Sequence, residues 1–234
     1  MSASFNELGL SPELLRAVEN LGFEEPSPIQ TLSIPVLLAG KDAMGQAQTG
    51  TGKTAAFGLP ILERITADRQ VQALILCPTR ELAIQVSEEL SKLALYKKGV
   101  SILPIYGGQP IERQLRVLDR GPQIVVGTPG RVIDHLQRGT LQLGDVRMVV
   151  LDEADEMLDM GFRDDMELIL EQCPESCQKI FFSATMPRPI LELSKRFLHE
   201  PEMLTISHKM LTVPAIEQTY YEVRQYQKMD ALSR

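Results

Sequence analysis

One glycine-rich segment constrains the fold of this chain more than any other feature. Residues 47–54 read Ala-Gln-Thr-Gly-Thr-Gly-Lys-Thr and lie between a short apolar run and the largely apolar stretch 55–62. This order predicts a strand, a glycine loop and a helix. Gly50 and Gly52 allow the backbone to turn tightly, so that its N–H groups point inward at an anion. The helix that begins there adds its positive N-terminal end, which favours a phosphate.

The residues after the glycines complete a predicted site for a nucleotide and its metal ion. Lys53 is placed to reach the terminal phosphates, and the hydroxyl of Thr54 to bind Mg²⁺. The general pattern has glycine where this chain has Ala47, so the loop alone is an incomplete match. The pair Asp152-Glu153 supplies the other half of the site, because it ends the apolar run 148–151, and such sites place a carboxylate at the end of a buried strand.

The rest of the chain alternates between short apolar runs and helical patterns. We predict strands near residues 71–77, 101–106, 123–126, 147–151, 179–182 and 203–206, with helices between them. Such alternation is typical of a parallel sheet covered by helices on both faces. Two further helices precede the glycine loop, and each is introduced by Ser-Pro. The predicted fold class is α/β, with three layers and a mostly parallel central sheet.

The composition limits the class of protein and its partners. No apolar run approaches the roughly 18 residues of a membrane span, so no membrane partner is expected. The N-terminus has neither a basic start nor an apolar signal core, which makes the cytosol the expected location. The net charge of −7 counts against binding nucleic acid by bulk charge, so any such binding must be local.

The cysteines and histidines carry no predicted site. Cys77, Cys173 and Cys177 form no disulfide framework, and reduced thiols are the better interpretation. The three histidines are scattered along the chain and are predicted to be surface residues: His135, His199 and His208.

Asp152 and Glu153 suit different tasks in phosphoryl transfer. Asp152 can hold Mg²⁺ through its waters, and Glu153 can orient and deprotonate the attacking water. The chain has no evident arginine finger, a residue that raises the rate by roughly 10³–10⁵ in other phosphate-loop enzymes. A capped, solvent-exposed helix start is the alternative interpretation of the acidic run 152–155.

Phe23 and Gln30 precede the glycine loop and are candidates for binding a base. A glutamine side chain can meet N7 and N6 of adenine with two hydrogen bonds, whereas guanine would leave its carbonyl unpaired. Gln30 would then select ATP over GTP, with Phe23 stacked on the base. From spacing alone, a core phenylalanine and a surface glutamine are the better interpretation.

Three other strand ends carry residue types that suit phosphate groups. Ligands collect at the carboxyl ends of strands in open α/β sheets. Thr79-Arg80 and Thr128 to Arg131 each join a strand end to a helix start, where a hydroxyl, free N–H groups and a guanidinium make a phosphate-sized site. Gly107-Gly108 lets a ligand approach the backbone. In a row, the three could follow a sugar–phosphate backbone without reading bases. Helix caps and a tight turn are an equally good interpretation of each one taken singly.

Together, these motifs resemble the first, RecA-like domain of the DEAD-box RNA helicases. The matching segments occur in the family's order over residues 5–206: Gly22-Phe23 with Pro26 to Gln30, Ala47 to Thr54, Pro78 to Ala83, Gly107-Gly108, Thr128 to Arg131, Asp152 to Asp155 and Ser183 to Thr185. The family usually has alanine at the position of Ala47, so the resemblance accounts for that departure from the general pattern. The details resemble the bacterial cold-shock members of the family.

The resemblance implies a role for each motif. The residues implied to bind ATP are Phe23, Pro28, Gln30, Gln48, Thr49, Gly50, Thr51, Gly52, Lys53 and Thr54. Thr54 and Asp152 would serve Mg²⁺, and Lys53, Asp152 and Glu153 would be catalytic. RNA phosphates and sugars would contact Pro78, Thr79, Arg80, Gly107, Gly108, Thr128, Pro129, Gly130 and Arg131. Ser183 and Thr185 would hydrogen-bond to Asp155 and so link the ATP state to duplex separation.

The resemblance also implies a division into domains and a set of partners. Residues 1–40 would belong to the same domain as the RecA-like ATP-binding unit 41–206, and residues 207–234 would be a linker and the start of a second RecA-like domain. That second domain carries the family's arginine fingers, so this chain alone is expected to bind nucleotide with little or no activity. The whole protein would be an RNA-dependent ATPase and helicase, and ribosomal or RNA-decay proteins would be further partners.

Two other interpretations stay open. The first is a phosphate-loop ATPase that acts on protein or DNA, whose hydrolysis would be insensitive to RNA. The second is a fragment that binds ADP but never hydrolyses ATP, with or without RNA.

Overall fold

The computed structural model describes residues 4–48, 50–206 and 222–232. A 3₁₀ helix at Phe5–Glu7 opens the chain, and the strands are β1 (Ala43–Gln46), β2 (Ala73–Leu76), β3 (Ile102–Ile105), β4 (Ile124–Gly127), β5 (Met148–Leu151), β6 (Gln178–Ser183) and β7 (Glu202–Thr205). The helices are α1 (Pro12–Asn20), α2 (Pro28–Leu38), α3 (Lys53–Arg64), α4 (Arg80–Leu93), α5 (Ile111–Leu118), α6 (Pro129–Gln137), α7 (Ala154–Asp159), α8 (Arg163–Gln172), α9 (Arg188–Phe197) and, after a second 3₁₀ helix at Gln225–Gln227, α10 (Lys228–Leu232).

The strands of the described residues form one parallel sheet in the order β3-β4-β2-β5-β6-β1-β7. Its register places the strand ends level, with Leu76 of β2 beside Gly127 of β4 and Leu151 of β5. Gln46, the last residue of β1, pairs with Ser183, the last residue of β6. The loops that leave these ends therefore share one edge of the sheet. The predicted fold class and the predicted strands are confirmed, and the strands differ from prediction only at their ends.

Apolar clusters lie on both faces of the sheet. Successive residues of β2 alternate between them, with Ile75 in one cluster and Leu74 in the other. Helices α1 to α4 cover the first face, and α6 to α9 the second. Because α1 and α2 contribute Leu14 and Ile29 to the first cluster, the N-terminal helices share a core with the sheet. Residues 207–221, where the predicted linker lies, are outside the described residues.

The cysteines agree with the prediction from the sequence, whereas one of the histidines does not. Cys77, Cys173 and Cys177 are free thiols, as predicted, and all three are buried. His135 was predicted to be a surface residue, and this was wrong: it is fully buried, because it follows Val132 by one helical turn on the inward face of α6. His199 is exposed, and His208 lies outside the described residues. No helix in the described part of the chain is long and apolar enough to cross a membrane.

Candidate functional site

Six of the motifs singled out in the sequence lie at the edge of the sheet formed by the carboxyl ends of the strands, whereas Phe23 and Gln30 precede β1. The loops after β3, β4 and β2 carry Gly107-Gly108, Thr128 to Arg131 and Pro78 to Arg80. The next three strands across the sheet, β5, β6 and β1, are followed by Asp152 to Asp155, Ala184-Thr185 and the glycine loop. We call these two groups of loops the β3-β4-β2 half and the β5-β6-β1 half. The loops predicted to contact RNA thus lie on one part of this edge, and the loops predicted to bind ATP lie next to them on the other part.

The glycine loop has the conformation that the sequence predicts. Gly50 and Gly52 have φ angles of 81° and 88°, in the left-handed region that favours glycine. Helix α3 begins directly afterwards at Lys53, and its first N–H groups have no partners within the helix. The loop therefore presents backbone donors and a helix N-terminus to an anion.

Hydrogen bonds from neighbouring residues fix part of this loop. The hydroxyl of Ser27 donates to the Thr51 carbonyl at 2.8 Å, and the Thr51 hydroxyl donates to the Gln48 carbonyl, also at 2.8 Å. Gln48 itself is exposed, as is Pro28, the first residue of α2. Thr49 lies outside the described residues.

Lys53 and Asp152 are buried charged side chains that face each other at the base of the loop. The ammonium nitrogen of Lys53 lies 3.7 Å from Oδ1 of Asp152 and 3.9 Å from Oε1 of Glu153. Among the described residues, Lys53 Nζ and Asp152 Oδ1 are the buried side-chain N or O atoms that lack a hydrogen-bond partner. Buried polar atoms are normally paired, so this pair indicates a place for a ligand that carries both an anion and a cation.

Asp152 of this pair, together with Thr54, also suits a hard metal ion. Burial raises the pKa of Asp152 to about 6, although the charge of Lys53 opposes the shift. A cation bound nearby favours the ionised carboxylate. Thr54 lines the same cavity of 370 Å³ as Asp152, so a hydroxyl and a carboxylate oxygen are both available, which are donors that Mg²⁺ prefers.

Glu153 is held in an unusual backbone conformation. Its φ is 55°, and it is one of two described residues other than glycine with positive φ. The residue immediately precedes α7 and lines the nucleotide-sized cavity with Asp152. Such strain costs about 1–3 kcal/mol and persists where surrounding structure imposes it, which is common at functional sites.

The burial of Phe23 and Gln30 is the reverse of what their spacing predicted. The interpretation as a core phenylalanine and a surface glutamine was wrong: Phe23 is 40% exposed and Gln30 only 5%. Phe23 stacks against Phe5, with ring centroids 6.3 Å apart. Phe23 and Gln30 both line the cavity that contains Lys53. An exposed ring beside a buried amide is an arrangement that can receive a base.

The amide of Gln30 connects helix α2 to the glycine loop. Its Oε1 accepts a hydrogen bond from the Ser27 backbone N–H at 2.9 Å, and its Nε2 donates to the Gly52 carbonyl at 3.1 Å. A glutamine amide has two donor hydrogens and two acceptor lone pairs, so each end keeps one further hydrogen bond. Those two suit N7 and N6 of adenine.

One wall of the cavity was missed in the sequence. It consists of α4 residues Gln85, Glu89 and Lys92, which lie on one face of the helix at i, i+4 and i+7. Gln85 donates to Glu89 at 3.2 Å. The helical spacing was visible, but nothing local indicates that this polar face borders a cavity instead of solvent.

The loops of the β3-β4-β2 half lie close to one another. Gly108 has a φ of 85°, and a Cβ at that position would lie 3.7 Å from a guanidinium nitrogen of Arg80. Arg80 is 62% exposed and paired with Glu81. The glycines at 107, 108 and 130 are exposed, so that a ligand can approach the backbone there. Thr79 caps α4, accepting a hydrogen bond from Leu82 N–H at 3.2 Å.

Three residues predicted to contact RNA lie deeper than the others. Pro78 and Pro129 are buried, so they shape their loops. Arg131 is only 14% exposed, and its guanidinium donates to Gln114 at 3.1 Å. Thr128 is half-buried and makes no side-chain cap hydrogen bond. The exposed donors in this half are therefore Arg80 and backbone N–H groups.

Asp155 connects the loops after β5 and β6. Its Oδ2 accepts hydrogen bonds from the Thr185 backbone N–H at 2.9 Å and the Thr185 hydroxyl at 2.8 Å. Ser183 donates to the Thr185 carbonyl at 2.5 Å. Burial raises the pKa of Asp155, but the two hydrogen bonds that it accepts from Thr185 oppose this, and its pKa lies below the ordinary value. Asp155 is thus an ionised anchor for the loop after β6.

A level edge with a glycine loop, a buried Lys53–Asp152 pair and a parallel sheet defines a phosphate-loop nucleotide-binding domain of the RecA-like kind. The family profile described as DEAD/DEAH box helicase matches residues 27–193. The chain belongs to that family.

Relatives at high identity carry helicase names. The chain is 57% identical over 232 residues to "DEAD-box ATP-dependent RNA helicase CshA" of Geobacillus kaustophilus (strain HTA426), which covers 99% of this chain and 50% of that protein. It is 52% identical over 235 residues to the protein of the same name from Bacillus subtilis (strain 168), covering 100% of this chain and 47% of that protein. The chain thus spans about half the length of these curated relatives.

Solved structures agree with the fold. A DEAD box protein from the hyperthermophile Methanococcus jannaschii superposes with a TM-score of 0.86 at 44% identity, over 99% of this chain and 63% of that one. A hypothetical ATP-dependent RNA helicase from Sulfolobus tokodaii gives a TM-score of 0.79 at 35% identity, over 84% of this chain and 57% of that one.

Proposed function

We propose that this chain is the ATP- and RNA-binding first domain of a DEAD-box RNA helicase that couples ATP binding and hydrolysis to unwinding of RNA duplexes. The observation that carries the proposal is the buried Lys53–Asp152 pair without hydrogen-bond partners, which lies on the same sheet edge as the exposed loops of the β3-β4-β2 half. A phosphate site and a backbone-binding surface side by side are what such coupling needs.

The residues that line the nucleotide cavity have different roles in binding and hydrolysing ATP. The Lys53 ammonium and the N–H groups at the start of α3 hold the terminal phosphates and offset their charge. Glu153, beside Lys53, orients the attacking water and takes its proton at a carboxylate oxygen. Mg²⁺ bound at Thr54 and Asp152 supplies charge neutralisation on the phosphate oxygens. Phe23 and Gln30 bind the adenine by stacking and by two hydrogen bonds.

The β3-β4-β2 half binds a single RNA strand by its backbone. Exposed glycines at 107, 108 and 130 let phosphates approach N–H groups closely, and Arg80 adds a charge. The backbone N–H groups carry no side chain that reads a base edge, so these contacts are independent of sequence. Through Thr185, Asp155 ties the loop after β6 to the loop that carries Glu153, a contact through which the ATP state would be linked to duplex separation.

The proposal extends to a second domain, the metal ion, the location of the protein and its partners. A second RecA-like domain would supply the arginine fingers and the rest of the RNA site, so the 234-residue chain alone would bind nucleotide with little or no turnover. Mg²⁺ is the metal that the Thr54 and Asp152 oxygens suit. Three free, buried thiols fit the reducing cytosol. Ribosomal or RNA-decay proteins are proposed partners.

The first test is ATP turnover by this chain, with and without single-stranded RNA, next to a measurement of ADP binding. We expect ADP to bind and turnover to be absent in both cases. RNA-stimulated turnover by the chain alone would show that it supplies its own finger. Turnover insensitive to RNA would support the ATPase acting on protein or DNA, and a failure to bind ADP would overturn the nucleotide site itself.

Replacing Gln30 by alanine is expected to weaken discrimination of ADP from GDP. The substitution removes the amide that meets N6 and N7 of adenine, and loss of two neutral hydrogen bonds corresponds to about tenfold in the affinity ratio. Calorimetric titrations of both nucleotides measure that ratio. A ratio equal to that of the unsubstituted chain would remove Gln30 from the base site, and Gln142→Ala, an exposed position, is the control.

RNA affinity is expected to fall with salt. The slope of log K against log salt is about −0.7 per phosphate neutralised by a basic side chain on a single strand, so Arg80 gives about −0.7. Anisotropy titrations of a labelled strand between about 50 and 200 mM KCl measure it. Arg80→Ala should make the slope shallower by about 0.7. A slope near zero in the unsubstituted chain contradicts the phosphate contact of Arg80.

A further inference from the structure

A buried polar cluster lies under the β3-β4-β2 half, and none of the family motifs includes its central residue. That residue is Gln114 of α5, which is almost fully buried. Its Nε2 donates to the Tyr106 carbonyl at 3.0 Å. Its Oε1 accepts from a guanidinium nitrogen of Arg131 at 3.1 Å and lies 2.8 Å from Nε2 of His135. One carboxamide therefore contacts three residues, Tyr106 in the loop after β3 and Arg131 and His135 on α6.

The chemistry of these partners fixes the orientation of the Gln114 amide and the proton on Nε2 of His135. A carbonyl can only accept and a guanidinium can only donate, so the Gln114 amide has one orientation. The Nε2 of His135 must then donate to Gln114 Oε1, which sets the tautomer with hydrogen on Nε2. Nδ1 of His135 lies 2.9 Å from the hydroxyl of Thr140. When the imidazole is neutral, the Thr140 hydroxyl can donate its one hydrogen to Nδ1 in place of the His135 carbonyl, which lies 3.1 Å away.

The surroundings of His135 favour that neutral state. Burial lowers the pKa of His135, and the charge of Arg131 lowers it further. Asp134 acts in the opposite direction, and Arg138 adds to the lowering. The Asp134 carboxylate lies 2.6 Å from Nε of Arg138 and 3.8 Å from Nε of Arg131. These two positive charges largely compensate its negative charge, so its effect on His135 is small.

We infer that Gln114 is a positioning residue for RNA binding, which holds the Gly107-Gly108 loop and the start of α6 at a fixed spacing. Tyr106 is the residue directly before the two glycines, and its carbonyl is tied to Gln114. Arg131 lies in the first turn of α6, beside the exposed Gly130, and is tied to the same side chain. Arg131 therefore acts through the cluster, instead of meeting an RNA phosphate as the resemblance implied.

A fixed spacing of the two loops matters for RNA binding because the phosphates are regularly spaced along an RNA strand. Loops bind several phosphates together only if their separation is set before the RNA arrives, since ordering them on binding costs affinity. The loops follow β3 and β4, neighbouring strands whose pairing ends at Ile105 and Gly127. Beyond that point the described contacts between them include the Gln114 carboxamide, which spans from Tyr106 to Arg131.

The inference rests on the proposed function, and Gln114→Met tests it. Methionine keeps the volume but removes all three hydrogen bonds. We expect affinity for single-stranded RNA to fall about tenfold, as for loss of hydrogen bonds that include a charged partner. ADP affinity should stay within twofold, because the cluster does not line the nucleotide cavity. Gln142→Met, the same change at an exposed position, is the matched control and should bind RNA normally.

A second variant separates positioning from a general loss of stability. Gln114→Glu keeps acceptors for Arg131 and His135 but cannot donate to Tyr106 when ionised. A carboxylate beside the imidazole raises the pKa of His135. Nitrogen-15 NMR of the ring should therefore show the neutral Nε2–H tautomer near neutral pH in the unsubstituted chain and a protonated ring in Gln114→Glu. RNA affinity should fall in this variant too, because the Tyr106 hydrogen bond is lost.

The outcomes distinguish the inference from the function on which it rests. If the unsubstituted chain binds no RNA, the proposed function fails, while the NMR measurement still reports whether Gln114 bonds to His135. Normal RNA affinity in folded Gln114→Met overturns the inference and leaves the function standing. An unchanged His135 ring spectrum in Gln114→Glu also overturns it, since the shared carboxamide would then not exist in solution.

Discussion

Replacing Lys53 by alanine is expected to weaken binding of ATP with Mg²⁺ about a hundredfold or more. The ammonium is the buried cation that faces Asp152 and Glu153, and it lacks a hydrogen-bond partner until a phosphate arrives. A charge-assisted hydrogen bond contributes about 1.5–3 kcal/mol by itself. The alanine variant also leaves two carboxylates without their neighbouring positive charge, and these repel the phosphates. Both effects act in the same direction.

A fluorescent ATP analogue titrated with Mg²⁺ present measures this effect. Lys41→Ala is the matched control, because Lys41 is exposed and paired with Glu202, away from the nucleotide cavity. Its affinity should be unchanged. Circular dichroism and thermal melting of the Lys53→Ala variant show whether the fold is intact. If a folded variant binds the analogue within twofold of the unsubstituted chain, the phosphates do not lie against Lys53, and the proposed site is in the wrong place.

The sequence predicted the fold well because its signals are local. Most strands are short apolar runs bounded by polar or turn residues, and most helices have a periodicity of their own. The glycine loop required positive φ at Gly50 and Gly52, and both have it. The order of the strands could not be predicted, since β1 pairs with β6 and β7, far away in the chain. That order is what separates the two halves of the edge.

The parts of the site that were missed depend on tertiary contacts. Nothing near Gln30 in the chain indicates that its amide reaches the carbonyl of Gly52, which lies 22 residues away. Gln114 and His135 likewise meet across 21 residues, and this contact explains why a histidine predicted at the surface is buried. The resemblance placed Phe23 and Gln30 in the base site where spacing had not. Their roles, like those of the other site residues, stay predictions.

Replacing Gly45 by alanine is expected to destabilise the domain by about 3 kcal/mol, at the upper end of the usual cost of overpacking a core. Gly45 lies in β1, which is paired on both sides, and a Cβ there would lie 2.2 Å from Cε1 of Phe182. That ring is fully buried and packs 5.9 Å from the ring of Phe57, so a shift away from a Cβ at position 45 would disturb the core. In a domain of this size such a loss lowers Tm by about 6–12 °C.

Because β1 leads directly to the glycine loop, Gly45→Ala should weaken nucleotide binding as well. Gly144→Ala is the matched control: a Cβ there meets nothing within 4 Å, and its stability should stay within about 0.5 kcal/mol of the unsubstituted chain. Adding Phe182→Leu to Gly45→Ala frees the space, so the pair should show a favourable coupling energy in a double-mutant cycle. A Tm of Gly45→Ala equal to that of Gly144→Ala would show that β1 and β6 do not pack in this way. The glycine loop, which follows β1, would then lie in a different position as well.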